Sequence, residues 1–156
     1  MAMNASALDG AIRDGRHLQP VRVYYEDTDF SGVVYHASYL RFMERGRTNY
    51  LRLLGADQRA LFEAAAKETP GFAFVVRSMT IAFRKPARMD DLLDVVTAPT
   101  QVKGASIVLH QRVSRDGDTL VDATVQVAFV ADGKARPIPK VLRVAMKADE
   151  KSAGLD

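Results

Sequence analysis

The spacing of hydrophobic residues changes twice in the first third of the chain. Residues 21–25 (VRVYY) are β-branched and aromatic, which favours a strand, and residues 26–32 (EDTDFSG) are acidic and small, which favours a turn. From Tyr39 to Leu53 apolar residues recur every three or four positions, as on the apolar face of a helix, and Ser38 is the candidate N-cap. The pattern predicts a strand, an acidic loop and a long helix in succession.

Strand patterns dominate the second half of the chain. Residues 72–83 are rich in Phe, Val and Ile and too long for an ordinary strand without a bend; residues 92–102 follow after a basic turn. Residues 106–114 and 120–130 alternate between apolar and polar positions, and Asp116-Gly117 between them is a hairpin signal. Three hairpin-like connections in succession predict an antiparallel sheet whose buried face packs on the apolar helix. The predicted fold class is α+β.

The remaining segments set the expected limits of the domain. Residues 1–19 are small and polar and are predicted to form a flexible arm, and residues 148–156 are predicted to form a flexible tail. Residues 57–67 are good helix formers and predict a second, short helix, and residues 132–147 are expected to end in another. One folded domain is therefore expected over residues 20–147.

Composition narrows the class of protein. With 156 residues and 47% hydrophobic content, the chain is large enough to bury a core without metals or disulfides, and it has no cysteine. The net charge of +3 suits an anionic partner such as a phosphorylated coenzyme but does not indicate nucleic acid. Residues 1–20 carry charges and no apolar run, and no stretch approaches the ~20 apolar residues of a membrane span. A cytoplasmic location is expected.

The acidic loop resembles the start of a calcium-binding loop, but the match fails. Asp27, Asp29, Ser31 and Gly32 follow the expected spacing, whereas the twelfth position, which should be a bidentate Glu, is Ser38. The three histidines of the chain are scattered along the sequence. No metal site and no cofactor are predicted.

A carboxylate close to the start of a helix points to a different chemistry. Unpaired N–H groups and the helix dipole stabilise a developing oxyanion, so Asp29 is a candidate nucleophile or general base and His36 a candidate for orienting or polarising the substrate. The alternative is that the acidic residues only form turn and cap hydrogen bonds. Spacing alone does not separate these two interpretations.

A long segment of the chain resembles a known family. The segment VYYEDTDFSGVVYHASYLRFMERGRTNYL is similar to the signature of the hotdog-fold acyl-CoA thioesterases of the 4-hydroxybenzoyl-CoA thioesterase class, closest to the Tol-Pal-associated acyl-CoA thioesterase branch. The similarity continues through FRKPARMDDLLDV, VKGASIVLHQRV, TLVDATVQVAFV and DGKARPIPK, and so extends from Pro20 to about Arg143.

This resemblance implies a sheet wrapped around the central helix and a homodimer or homotetramer with active sites at the subunit interface. The family's catalytic carboxylate falls on Asp29, and its histidine falls on His36, whose backbone N–H would bind the thioester oxygen. Tyr35 and Val34 are the neighbouring substrate-binding positions, and Glu44 matches the family's helix carboxylate without an assigned role.

Two further expectations follow from the resemblance. Phe30 is bulkier than the small residue of the family's loop, which leaves the acyl-chain preference open. The family places the coenzyme phosphates near the later turns, which favours three cations over the alternatives Arg84, Lys85 and Arg88. The favoured cations are Lys103, Lys134 and Arg136.

The leading hypothesis is an enzyme that hydrolyses an acyl-CoA, or an acyl carrier protein thioester, to the free acid. The alternatives are a non-catalytic acyl-thioester or protein-binding scaffold of the same fold, and, ranked last, a hotdog dehydratase.

Overall fold

The computed structural model describes residues 8–54 and 58–154. Its elements, in chain order, are β1 (Ala11–Arg13), β2 (Arg16–Arg22), a single 3₁₀ turn (Tyr25–Asp27), α1 (Ser38–Arg52), α2 (Gln58–Glu68), β3 (Ala73–Phe83), β4 (Leu92–Val102), β5 (Ser106–Arg115), β6 (Asp118–Ala131), β7 (Lys134–Ala135) and α3 (Lys140–Ala153). The α+β class predicted from the sequence is confirmed.

The strands of the described residues form one antiparallel sheet of seven strands in the order β1-β2-β4-β5-β6-β3, with the short β7 also paired to β6. The bend expected in β3 is a register shift between Val76 and Ser78. The predicted hairpin between β3 and β4 is wrong, because β3 pairs with β6 while β4 lies between β2 and β5. β3 is therefore an edge strand, and residues 84–91 cross one end of the sheet to reach β4.

Helix α1 packs against β2, β4 and β5 through a face that includes Tyr39, Met43 and Tyr50. Gly46 lies at the closest approach, where an added Cβ would stand 3.0 Å from atoms of both Val95 and Thr97 in β4. A glycine in a helix interior costs about 0.5–1 kcal/mol relative to alanine, and here it lets the helix approach the sheet. The arrangement is the predicted one, a sheet wrapped around a central helix.

The prediction of a flexible N-terminal arm over residues 1–19 is wrong from Ala11 onward. Residues 16–22 alternate between exposed and buried side chains and pair with β4, so they belong to the sheet and not to a flexible arm. His17 in this strand is fully buried, and its Nε2–H donates to the carbonyl of Asp9 over 2.7 Å. The strand buries polar side chains at two of its inward positions, His17 and Gln19.

The prediction of a flexible C-terminal tail over residues 148–156 is wrong for residues 148–153, which are helical. Helix α3 continues through the predicted tail and packs against β4 and α2. Leu142 and Met146 are fully buried, and the Tyr50 hydroxyl of α1 donates to Asp149 Oδ2 over 2.9 Å. Residues 1–7 of the predicted arm and residues 155–156 of the predicted tail lie outside the described residues.

Candidate active site

The acidic loop is a hydrogen-bonded hairpin. Thr28 and Val34 form an antiparallel bridge, and the Asp29 N–H donates to the Val33 carbonyl over 2.9 Å. The Gly32 N–H donates back to the Asp29 carbonyl over 3.0 Å, and Gly32 has φ +80°, a left-handed conformation that glycine adopts without strain. Asp29 thus lies at a defined tip, next to the fully exposed side chain of Phe30.

Two sets of contacts fix this hairpin in the fold. On one side the Val34 N–H donates to the Ala87 carbonyl over 2.8 Å, which ties the hairpin to the β3–β4 connection. On the other side the Asp27 carbonyl accepts bonds from the Tyr35 N–H (2.9 Å) and from the Ser38 hydroxyl (3.1 Å). The N-cap prediction for Ser38 is wrong, because Ala37 is the N-cap and Ser38 is the first helical residue. Its hydroxyl instead links the start of α1 to the acidic loop.

The two carboxylates of the loop have different surroundings. Asp27 is buried, and its Oδ2 accepts the Tyr24 N–H over 2.9 Å, so this side chain fixes the loop. Asp29 is exposed; its Oδ1 accepts the Ser31 N–H over 2.8 Å, and its Oδ2 has no hydrogen-bond partner among the described residues. One oxygen of Asp29 therefore holds the turn, while the other accepts no hydrogen bond from the described residues.

His36 lies at the start of α1. Its ring contacts the rings of Tyr35 (centroids 4.6 Å apart) and Phe83 (6.1 Å), and no hydrogen bond within the described part of the chain uses its backbone N–H. A free N–H at the positive end of a helix dipole is a suitable donor to a developing oxyanion.

A pocket of about 280 Å³ opens beside His36 and is called the His36 pocket. Its lining residues are Val34, His36, Tyr39, Phe83, Arg84, Lys85 and Pro86. The structure thus brings the predicted Val34 and His36 together. Asp29 and Tyr35 do not line the pocket within a single chain, although Asp29 is bonded to Val33, next to Val34.

Three polar lining residues, Tyr39, Arg84 and Lys85, were assigned no function from the sequence. The hydroxyl of Tyr39 accepts the Ala87 N–H over 3.1 Å, and burial raises the pKa of this tyrosine, so it stays protonated at neutral pH. Arg84 and Lys85, called the proximal cations, form ion pairs with Asp122 (3.5 Å) and Asp118 (3.3 Å) of β6. They directly follow β3, but nothing in the sequence signals that the end of β3 meets the start of α1.

A protein-family model described as the thioesterase-like superfamily matches residues 23–146. The chain belongs to this superfamily. The acyl-CoA thioesterase YbgC of Haemophilus influenzae is 49% identical over 128 residues, which are 81% of this chain and 90% of that protein. The acyl-CoA thioester hydrolase YbgC of Escherichia coli O157:H7 is 45% identical over 131 residues, 82% of this chain and 93% of that protein.

Solved structures agree with this membership. A probable thioesterase from Bartonella henselae superposes with a TM-score of 0.65 at 40% identity, covering 80% of this chain and 98% of that one. A mutant 4-hydroxybenzoyl CoA thioesterase complexed with 4-hydroxybenzoyl CoA superposes with a TM-score of 0.72 at 20% identity, covering 84% and 98%, which supports the fold alone. The hotdog fold and the family resemblance predicted from the sequence are confirmed.

The three cations that the sequence favours for phosphate binding lie far from the His36 pocket. Lys103, Lys134 and Arg136, called the distal cations, are exposed. Lys103 lies in the β4–β5 turn, and Lys134 and Arg136 lie in and just after β7. The Ile138 N–H joins these two segments by donating to the Gly104 carbonyl over 2.7 Å. Within β6, Val121 lies opposite Phe83 and Val130 lies opposite Ala73, and the two β6 residues are about 30 Å apart at the rise of a strand. The distal cations lie beyond Val130, so one chain does not bring them to the His36 pocket.

Glu44 is exposed on α1 and accepts a hydrogen bond from the Thr48 hydroxyl over 2.5 Å. It lies outside the His36 pocket.

Among residues 8–54 and 58–154, no three His, Asp or Glu side chains are grouped as a metal site requires. Within the same ranges, no helix has the length and apolar character needed to cross a membrane.

Proposed function

We propose that the protein is a thioesterase that hydrolyses acyl-CoA to a free acid and coenzyme A. The observation that carries this proposal is the position of Asp29. Its Oδ2 has no hydrogen-bond partner in the described part of the chain, and it is held on a hydrogen-bonded hairpin that is linked to the start of α1. The family membership and the names of the relatives at 45–49% identity support the same activity.

The chemistry divides between the side chain of Asp29 and the backbone of His36. The N–H of His36 donates to the carbonyl oxygen of the thioester and stabilises its negative charge as the carbonyl is attacked. In one route Asp29 takes a proton from water and the resulting hydroxide attacks the carbonyl carbon. The C–S bond then breaks, and the coenzyme A thiolate leaves with the proton that Asp29 returns. In the other route Asp29 attacks directly, the thiolate leaves, and water hydrolyses the acyl anhydride. Both routes need the ionised carboxylate.

A second copy of the chain completes the site in this proposal. β3 is an eleven-residue edge strand whose outer side carries no partner strand from residues 8–54 or 58–154, and Val75, Val76 and Phe83 along it are exposed apolar residues. Such an edge favours pairing with another chain, and two-fold symmetry pairs a strand with itself in antiparallel orientation. The minimal assembly is then a homodimer joined through β3, and two such dimers give the alternative homotetramer.

This dimer resolves the distance between the His36 pocket and the distal cations. If the two-fold axis passes near Ser78 at the middle of β3, Phe83 of one copy lies opposite Ala73 of the second copy. The distal cations of the second copy then approach the proximal cations of the first. A coenzyme phosphate bound there meets basic residues of both copies, as exposed Arg and Lys side chains bind phosphate.

The proposal also covers the thiol carrier of the acyl group and the location of the protein in the cell. Coenzyme A is preferred over acyl carrier protein as the carrier, because the proximal cations line the His36 pocket itself and suit the phosphates of a small coenzyme. A cytoplasmic location, expected from the sequence, is retained.

Thiol release from a panel of acyl-CoA and acyl carrier protein thioesters tests the proposal, with the molar mass measured by light scattering in the same buffer. Acyl-CoA should be hydrolysed by a particle of dimer or tetramer mass. Absence of hydrolysis with every thioester would favour the scaffold hypothesis. A fully active monomer would show that the active site does not depend on an interface between two copies.

A further inference from the structure

A pocket of about 170 Å³ lies on the outer face of the sheet and is called the Asp122 pocket. Gln111 of β5 donates to a carbonyl of α1, and side chains alternate along a strand, so the neighbouring His110 faces away from α1. The ionisable residues of the lining are Arg84, His110 and Asp122. Arg84 also lines the His36 pocket, so its side chain is shared by the two pockets.

The carboxylate of Asp122 is held on both of its oxygens. Its Oδ2 lies 3.5 Å from a guanidinium nitrogen of Arg84, and its Oδ1 accepts a hydrogen bond from the Nε2–H of His110. One partner therefore belongs to β5 and the other directly follows β3. The side chain of Asp122 is only 33% exposed, and a charge that is partly buried is screened less by salt than a fully exposed one.

The register of the sheet offers Asp122 a different cation. Arg112 of β5 lies directly opposite Asp122 in the ladder and on the same face of the sheet, where opposite charges attract. Within the described part of the chain, however, Arg112 forms no ion pair, and Asp122 is paired with Arg84 and His110. The carboxylate is thus directed to the one arginine that also lines the His36 pocket.

The backbone of Arg84 is attached to the same strand as its side chain. Its N–H donates to the carbonyl of Leu120 over 2.7 Å, two residues before Asp122 along β6. A long side chain at an exposed position samples many rotamers and loses this freedom when it is ordered. Because Arg84 is bonded to β6 through both its backbone and its guanidinium, part of this ordering is complete before any ligand arrives.

We infer that Asp122, oriented by His110, is a positioning residue that holds Arg84 in the wall of the His36 pocket, where the guanidinium binds a phosphate of the coenzyme. The inference rests on the proposed function and adds to it two residues that do not touch the substrate. A guanidinium has five N–H donors, so its contact with Asp122 leaves donors for a phosphate. A side chain that is ordered before binding also lowers the entropic cost of binding.

The sign of the change in KM separates positioning from charge repulsion. If Asp122 acted only through its negative charge, removing it would strengthen phosphate binding and lower KM. Positioning predicts the opposite sign. Asp122→Ala should raise KM for the best acyl-CoA of the panel by roughly three- to fivefold, the effect of losing one ion pair at a partly exposed site. The value of kcat should stay nearly unchanged, because the lost interaction is made equally in the ground state and the transition state. A fall in KM would overturn the inference.

Two matched controls lie on the same face of the sheet. Asp94 of β4 is half-buried like Asp122 and forms no ion pair with the described residues, so Asp94→Ala removes the same charge without releasing an arginine. Arg112→Gln removes the cation opposite Asp122. Both controls should leave KM nearly unchanged. An equal change in KM for Asp94→Ala and Asp122→Ala would indicate a general effect of charge and would also overturn the inference.

A double-mutant cycle tests whether Asp122 acts through Arg84. Arg84→Gln should raise KM, and adding Asp122→Ala to it should cause no further rise, because the side chain to be positioned is already absent. His110→Ala should likewise raise KM in the wild-type background but not in the Asp122→Ala background. If Asp122→Ala raises KM by the same factor with and without Arg84, the two residues act independently and the inference is wrong.

A substrate without phosphates distinguishes positioning from general damage to the site. The pantetheine thioester of the same acyl group keeps the thiol end of the coenzyme and lacks its phosphates. Asp122→Ala should leave kcat/KM for this thioester unchanged, whereas an equal loss with both substrates would show that the variant distorts the site. If Asp122→Ala fails to fold, Asp122→Asn, which keeps an acceptor oxygen, repeats the comparison with a smaller rise in KM.

Binding of coenzyme A itself, measured by titration calorimetry, provides a readout that does not depend on hydrolysis. The dissociation constant should rise in Asp122→Ala by the same factor as KM and stay at the wild-type value in Asp94→Ala. An unchanged dissociation constant in Asp122→Ala would overturn the inference while leaving the thioesterase proposal in place. The proposed function fails only if the wild-type protein hydrolyses no thioester of the panel, so the two failures are distinguishable.

Discussion

At the residue scale, the buried His17 and the half-buried Asp149 show how the fold restricts protonation. Nε2–H of His17 donates to the Asp9 carbonyl, and Nδ1 is buried with no partner among the described residues. Burial lowers the pKa of His17 below its ordinary value of 6.5, so the folded protein holds the neutral ring. Asp149 shows the opposite case, since burial near Tyr50 raises the pKa of its carboxyl and favours the protonated form.

His17 predicts a loss of stability in mild acid. Above pH 6.5 the ring is neutral in both the folded and the unfolded states, and its contribution is fully present. As the pH falls below 6.5 the unfolded state takes up a proton that the folded state resists, so stability decreases by at most about 1.4 kcal/mol per pH unit. Chemical denaturation between pH 7.5 and pH 5 measures the free energy of unfolding of the wild type and of His17→Gln. The difference between the two values at each pH gives the contribution of His17. Parallel curves for the two proteins would show that His17 is not the group responsible.

Single residues also mark the limit of what the sequence predicts about the site. The resemblance identified Asp29 and His36, and the structure places both on the connection that begins α1. The sequence favours solvated surface charges at Arg84 and Lys85, because their approach to His36 depends on where β3 ends relative to α1. That juxtaposition is tertiary and leaves no pattern in the local sequence.

At the scale of elements, the contact between α1 and β4 is set by a missing side chain. A Cβ on Gly46 would stand 3.0 Å from both Val95 Cγ1 and Thr97 Oγ1, and 3.3 Å from Gln111 Nε2. Gln111 in turn donates to the carbonyl of Met43 and to the Thr97 hydroxyl, so the neighbours of this glycine are held in place.

Gly46→Leu should therefore destabilise the protein by about 1–3 kcal/mol, the usual cost of overpacking a core. Gly104 is a suitable control, because an added Cβ there meets nothing within 4 Å. Gly104→Leu should change the stability by less than about 0.5 kcal/mol. Urea titration of both variants measures the difference, and equal stability of the two would contradict the close approach of α1 to the sheet.

The predictability of the elements follows their hydrophobic patterns. β4, β5 and β6 were predicted to within about two residues. β5 and β6 alternate between apolar and polar side chains, and β4 is rich in Leu and Val and follows a clear turn. The predicted first strand begins at Val21, whereas β2 begins at Arg16. The earlier residues were missed because the inward positions His17 and Gln19 are polar and give no apolar signal. The pairing of β3 with β6 instead of β4 was missed because a turn between two strands does not by itself make them neighbours.

At the scale of the whole molecule, the proposed dimer places two groups of basic residues around one coenzyme. Neutralising the distal cations, as Lys103→Gln, Lys134→Gln and Arg136→Gln together, should raise KM for acyl-CoA more than it lowers kcat. Arg84→Gln with Lys85→Gln should act in the same direction. Both effects should shrink at high salt, because exposed charges are screened over about 8 Å at physiological ionic strength.

The matched control removes the same number of charges from exposed positions on β1 and α3. These positions are Arg13, Lys147 and Lys151. The control variant should keep the wild-type KM. An equal rise in KM for the control and the distal variant would indicate a general charge effect, and an unchanged KM for the distal variant would show that the phosphates bind elsewhere.

The central claim is that the carboxylate of Asp29 reacts, and Asp29→Asn tests it most directly. The amide keeps an oxygen that accepts the Ser31 N–H, so the hairpin and the melting temperature should be retained. It is neither a nucleophile nor a useful base, so kcat for the best acyl-CoA of the panel should fall by roughly 10²- to 10⁴-fold, or further if the attack is covalent. A variant with an unchanged melting temperature that hydrolyses this substrate at the wild-type rate would contradict the account.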